Sequence, residues 1–259
     1  MIKIFTINKN RPFITGAMIQ EWDIAKGNVS IMKEFHMLKD AKKLEWISNL
    51  PKDKRNVYVG DKLLKTGEIS AKELENNFDI MVKRFIELND LDPDYDIISI
   101  KRDAVFVVNK EIRFPQMSEN VVFRPKMNAH AFILLNGIEL YFSDDDVEIK
   151  GLSKNIDDIK ALHKEGMLRF LRDVIEIVES HPDNPRELYK YLHEYISAYK
   201  RKELTFDNYR EFNPQSKYVC NIDGNFISSA EMDDELFEFI DISYNYKNII
   251  KSLVPLVLR

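Results

Sequence analysis

Two carboxylates stand where the pattern of the chain could set up acid chemistry. Asp23 closes the run ITGAMIQEWDI at a predicted strand end, just before a helical pattern begins. Asp103 lies 80 residues later in the polar triplet Lys101, Arg102, Asp103, at the tip of a predicted hairpin. If the two strands are neighbours, the carboxylates converge. Such a pair suits Mg²⁺ or Mn²⁺, hard cations that take oxygen ligands and substrate phosphates, and a two-metal site drives in-line phosphoryl or nucleotidyl transfer. The plain alternative is a pair of turn residues, a role in which Asp is common.

No other motif competes for the chemistry. The sequence has no Gly-rich phosphate loop, no Ser elbow, no Cys pair and no His pair at i, i+4. His36, His130, His163, His181 and His193 are scattered and read as surface or capping residues, and Cys220 stands alone. The acidic runs DLDPDYD and SDDDVE lack the alternating acids, central Gly and closing Glu of a calcium loop, so they read as solvated turns.

The elements that must position the two acids follow from periodicity. MIKIFTI alternates as a strand, and ITGAMIQEWDI reads as a second strand or the approach to one. Residues 28–49 carry Ile31, Phe35, Leu38, Leu44, Ile47 and Leu50 at helical spacing up to Pro51. Ser70 and Glu73 form a capping box ahead of Leu74, Phe78, Met81, Val82, Phe85 and Ile86, which predicts an amphipathic helix over 70–89. IISIKRDAVFVV is β-rich on both sides of its triplet, and NVVFRP, AFILLNGIELYF and DVEIKGL continue the strands, with Asn136 and Gly137 as a hairpin turn. Helical periodicity returns over 156–179, 185–202 and 231–258. Strands with helices, then helices alone, predict an α+β fold with a mainly antiparallel sheet and a C-terminal helical subdomain.

Composition sets the outer limits. The 259 residues are 44% hydrophobic with 8 Gly and 9 Pro, enough for a sizeable core and unlike a disordered chain. No apolar run approaches the ~18 residues of a membrane span. A single Cys and a polar N-terminal stretch point to the cytoplasm and to no membrane partner. The net charge of −5 disfavours indiscriminate nucleic-acid binding. It conceals a gradient, however: residues 1–70 hold 13 Lys and Arg against 8 Asp and Glu, whereas 71–100 hold 3 against 8. An anion is therefore expected to meet the first quarter of the chain.

IISIKRDAVFVV resembles the metal-binding hairpin of family B DNA polymerases, Asp-Thr-Asp-Ser followed by apolar β residues. Lys101, Arg102, Asp103 and Ala104 fall on those four positions, so the second Asp is kept and the first acid is replaced by Lys101. The family's earlier motif, Asp-Phe-x-Ser-Leu-Tyr-Pro-Ser-Ile, is similar to Asp23–Ile31 at Asp23, Ser30 and Ile31, with Asn28 in place of the Tyr that excludes ribonucleotides. Its fingers pattern, Lys-x-x-x-Asn-Ser-x-Tyr-Gly, matches KDKRNVYVG at Lys52, Asn56 and Gly60, with Lys54 and Arg55 adding positive charge; the alternative there is a solvated basic turn after Pro51. DVEIKGL, KRKELTFDNYREFNPQSKYV and SYNYKNIIKSLVPLVLR resemble a palm strand, a palm-to-thumb connection and a thumb helix.

The resemblance implies a palm-like domain over 1–154 with a short fingers-like insertion at about 32–95, and a thumb-like subdomain over 155–259. It implies a nucleotidyltransferase in which Asp23 and Asp103 bind Mg²⁺ or Mn²⁺ while Lys52, Lys54, Arg55 and Asn56 meet the triphosphate. The partners implied are a primed nucleic-acid template, a nucleoside triphosphate and a further protein subunit. The length leaves no room for an exonuclease before Asp23. A second reading, motivated by Lys101, is a catalytically inactive, polymerase-like nucleic-acid-binding or accessory protein of a phage or mobile element. A third is a protein-interaction module using Phe237, Phe239, Tyr244 and Tyr246.

Overall fold

The structure is a computed structural model that describes residues 7–135, 138–150, 161–201, 203, 218–220 and 226–228. In chain order the elements begin with β1 (Phe13–Ile14), β2 (Ile19–Ile24), α1 (Gly27–Glu34), α2 (Ala41–Ser48), α3 (Lys52–Tyr58), a π-helical stretch Val59–Leu64 and α4 (Ala71–Leu88). They continue with β3 (Ile97–Lys101), β4 (Ala104–Val108), β5 (Phe123–Ala129), β6 (Ala131–Leu135), β7 (Ile138–Phe142) and β8 (Val147–Lys150). The last are α5 (Ala161–Ser180), α6 (Pro185–Lys200), β9 (Tyr218–Cys220) and β10 (Phe226–Ser228). Helices with antiparallel sheets make this an α+β fold, as the sequence predicts. The chain divides into two units, Met1–Arg11 with Ala17–His130, and Pro12–Gly16 with Ala131–Arg259.

The sheet of the first unit has the order β3-β4-β2-β5, every neighbouring pair antiparallel. β2 and β3 therefore run parallel with β4 inserted between them, the split βαβ arrangement. Its crossover is the helical segment α1 to α4. Side chains alternate along β2: Trp22 and Ile24 join the core that the helices cover, so Ile19, Glu21 and Asp23 turn to the other face. Trp22 meets Phe85 of α4, and Phe85 stacks on Phe123 of β5 with ring centroids 4.1 Å apart. Burying a side chain such as Phe85 stabilises by about 1.5–3 kcal/mol.

Helix α4 forms as its sequence dictates. The Ser70 hydroxyl accepts the Glu73 N–H at 3.2 Å, and Leu74, Phe78, Met81, Val82, Phe85 and Ile86 are all buried along one stripe. The single helix expected over 28–49 is two. α1 stops at Glu34, His36 takes a left-handed φ of 50°, and Asp40 restarts the chain by accepting the Lys43 N–H at 3.0 Å. Leu38 is buried from the connecting loop, and the apolar pattern resumes out of phase at Leu44, six residues on.

In the second unit the sheet order is β1-β6-β7-β8, and β9 pairs with β10. Ala131, Ile133, Leu140 and Phe142 pack with Phe170, Leu171, Val174 and Ile175 of α5 and with Leu188 and Leu192 of α6. The strands over 131–150 thus share a core with the helices that follow them. Within the paired strands β6 and β7, Leu135 lies opposite Ile138, which fits the expected hairpin; Asn136 and Gly137 themselves lie outside the described residues. So do residues 1–6 of the strand expected over 1–7, whose last residue, Ile7, bridges Ser99, and the helix and aromatic cluster expected over 231–258.

Candidate functional site

The pairing of β2 with β4, the two inner strands, brings the two acids to one end of the first sheet. Asp23 lies opposite Ala104, and the Ile24 N–H donates to the Asp103 carbonyl at 2.9 Å. The β3–β4 turn is tight, with Arg102 at φ 47° and its guanidinium 4.7 Å over the Phe78 ring, which leaves Asp103 as the turn's acid beside Asp23. Burial, and then the Asp103 charge, push the Asp23 carboxyl up from 3.8 to about 6, against the opposing pull of Lys126 and Lys52. Oδ1 of Asp23 is buried, and no described group donates a hydrogen bond to it.

Lys126 reaches this site through an irregularity in the sheet. Glu21 pairs with Met127 and Trp22 with Pro125, so Lys126 is the extra residue of a β-bulge on β5. Its Nζ lies 3.0 Å from Glu21 Oε1 and 3.9 Å from Asp23 Oδ2. Glu21 is only 2% exposed, and the ammonium offsets a buried carboxylate that would otherwise be costly. β5 is an edge strand, where Pro125 without its N–H is tolerated.

Asp103 is also tied to the start of α1. A Cβ on Gly27 would sit 3.0 Å from Asp103 Oδ2 and 3.2 Å from the Phe78 ring, so the absence of a side chain at 27 lets the carboxylate approach the helix N-terminus. Ser30 donates its hydroxyl to the Ala25 carbonyl at 2.6 Å and so secures the same turn.

The basic segment after Pro51 is the helix α3. Lys52, Arg55 and Asn56 fall on one side at i, i+3 and i+4, and the Lys52 charge acts on Asp23. Lys54 falls on the opposite side, one turn before Tyr58. Arg55 is half-buried and donates from Nη1 to the Leu50 carbonyl at 3.3 Å, which anchors the start of the helix.

Among the described residues no group of three or more His, Cys, Asp and Glu is arranged to hold a metal ion. Mg²⁺ can also be held by one or two carboxylates with water and substrate phosphate completing its shell; Asp23 and Asp103 are the residues that would hold one here, and the orphaned Oδ1 of Asp23 is the atom it would satisfy. Glu21, Gly27 and Lys126 were not visible as site residues from the sequence. The one local hint is Pro125 before Lys126, a residue type confined within sheets to edges and bulges.

A split βαβ sheet with two acids at one end of its inner strands defines a class of site, and the comparisons place the whole chain. The family model described as Bacteriophage PBS1 gene 130 protein matches residues 3–258, and the chain belongs to that family. This associates the protein with bacteriophage; the description names a phage and a gene but no reaction. No curated protein matches the chain. No helix among the described residues is long and apolar enough to cross a membrane.

Proposed function

We propose that the protein is a polymerase-like nucleotidyltransferase acting on a primed nucleic-acid template, with Asp23 and Asp103 as the metal-binding and catalytic carboxylates. The observation that supports the reading is that the β2–β4 pairing sets Asp23 and Asp103, from a strand end and a hairpin tip, at one end of the sheet, near enough for the Asp103 charge to act on Asp23. When bound there, Mg²⁺ or Mn²⁺ would supply activation of the primer hydroxyl and stabilisation of the departing pyrophosphate. The chain's own residues do the rest. The β4 pairing fixes Asp23, Lys126 holds Asp23 Oδ2 from the bulge, and Gly27 leaves Asp103 its room. Lys52, Arg55 and Asn56, on the side of α3 that acts on Asp23, meet the triphosphate, with Lys54 adding charge from the far side of the helix.

The test is primer extension by Asp103→Ala in Mg²⁺, with circular dichroism to verify folding. Extension should be lost, and Mn²⁺ binding read by electron paramagnetic resonance should weaken with it. Extension at the wild-type rate refutes the assignment.

A second reading, a non-catalytic nucleic-acid-binding or accessory protein, is favoured by one observation: Asp23 is already faced by the protein's own cations, Lys126 and Lys52, and Lys101 stands where the family B polymerase motif has an acid. It predicts no incorporation, together with template binding that weakens as salt rises and maps to residues 39–65.

A further inference from the structure

We infer that Trp46, Val57 and Tyr58, flanked by Lys42 and Lys54, form a single-strand nucleic-acid site in which a base stacks on the Trp46 ring. Trp46 is 52% exposed on α2, although α2 buries Leu44 and Ile47 beside it. Its ring meets Tyr58 of α3 edge-on at 5.0 Å between centroids, so the indole is braced on one side and open on another. Val57, 61% exposed, extends the apolar surface. A rigid, half-open aromatic is the stacking element that single-strand binders use, because every base offers a π-face.

The occupant is argued from charge. Residues 39–65 hold 8 Lys and Arg against 4 Asp and Glu. Lys43 is engaged by Glu68 at 2.6 Å and Lys65 by Asp61, but Lys42 lies one turn before Trp46 and Lys54 one turn before Tyr58, both exposed. An aromatic between two lysines suits a base between two phosphates. The site rests on the template reading above, and deepens it by naming where unpaired template is held; its own chemistry does not require the two acids.

The experiment titrates the full chain with oligothymidylate in EDTA, without triphosphate, following tryptophan emission. The chain has two Trp, and Trp22 is half-buried and packed against Phe85. Emission should be quenched on binding. Trp46→Phe should remove the quench and keep most of the affinity, whereas Trp46→Ala should weaken binding roughly 5- to 150-fold. Lys42→Ala and Lys54→Ala should each reduce the salt slope by about one. No oligothymidylate binding, or Trp46→Ala binding as tightly as wild type, overturns the site. Loss of a protein partner in Trp46→Ala with oligonucleotide affinity intact also overturns it, in favour of protein docking. Trp46-dependent binding alongside Asp103→Ala that still extends primers sinks the catalytic assignment and leaves this site standing.

Discussion

The raised carboxyl of Asp23 makes a testable statement about stability. Its value in the fold is about 6 against an ordinary 3.8, caused first by burial and then by Asp103. The native state therefore holds this proton more tightly than the unfolded chain. As pH rises from about 4 to about 6 the native state binds more protons than the unfolded state, and stability must fall. The cost is absent below the unfolded value and fully present above the folded one. Two units correspond to about 3 kcal/mol at most. The Asp23 side chain is 27% exposed, so solvent screening brings the expected figure to about 1–3 kcal/mol.

Asp23→Asn keeps the shape and removes the charge. Urea unfolding across a pH series should find the variant more stable than wild type by about 1–3 kcal/mol at ~pH 8, with the difference shrinking through pH ~6 and gone near pH ~4. Subtracting the two curves cancels every group that titrates alike in both. A variant less stable than wild type at ~pH 8 would show that Lys126 and Lys52 outweigh burial and Asp103. A difference independent of pH would show that Asp23 titrates at its ordinary value. Either result refutes the account of the site's electrostatics.

Gly27→Ala should destabilise by about 1 kcal/mol, because the ~1 kcal/mol gain in helix propensity is smaller than the strain of pressing a Cβ to 3.0 Å from Asp103 Oδ2 and 3.2 Å from Phe78. A double-mutant cycle with Asp103→Ala, in which the Gly27→Ala cost shrinks or reverses, checks that the contact is the cause. Asn89→Ala should cost about 2–4 kcal/mol by chemical denaturation, since the buried amide donates to the Phe85 and Phe114 carbonyls at 2.9 Å and accepts from the Arg113 and Phe114 N–H groups at 3.0 and 2.8 Å.

What the sequence revealed and what it hid divide along a physical line. Helix α4 was legible because its cap, Ser70 with Glu73, and its apolar stripe lie within one stretch of chain. That the strands of Asp23 and Asp103 are neighbours was legible because a strand end and a hairpin tip need only one pairing, β2 with β4, to come side by side. The break after α1 was missed because Ile31, Phe35 and Leu38, and then Leu44, Ile47 and Leu50, are each helically spaced; the six residues from Leu38 to Leu44 put the two sets out of phase, and Asp40 marks the restart by capping α2. Lys126 was hidden because a bulge is a property of register between two strands, and Glu21 pairs with a residue more than 100 positions away. Gly27 was hidden for the same reason: its close neighbour is a carboxylate in another element.

Helix α3 connects the two proposals. It buries no residue of its own, so its placement depends on what flanks it: Arg55 bonded back to Leu50, and the π-helical stretch beyond it, with Val59 and Leu63 at 1% and 0% exposure. A π-helical run is a poor way to end a helix unless its geometry is needed, and such runs recur at functional sites. Here it anchors a short helix whose two sides serve different ends. Lys52, Arg55 and Asn56 lie on the side from which the Lys52 charge acts on Asp23, and Lys54, Val57 and Tyr58 on the side whose Tyr58 braces Trp46. On the proposed reading, a strand stacked on Trp46 and a phosphate near Asp23 would lie on opposite sides of the same two helical turns. Exchanging Lys54 with Val57 should then weaken oligothymidylate binding while sparing Mn²⁺ affinity at the acids, and a variant that lost both together would show that α3 does not separate the two functions.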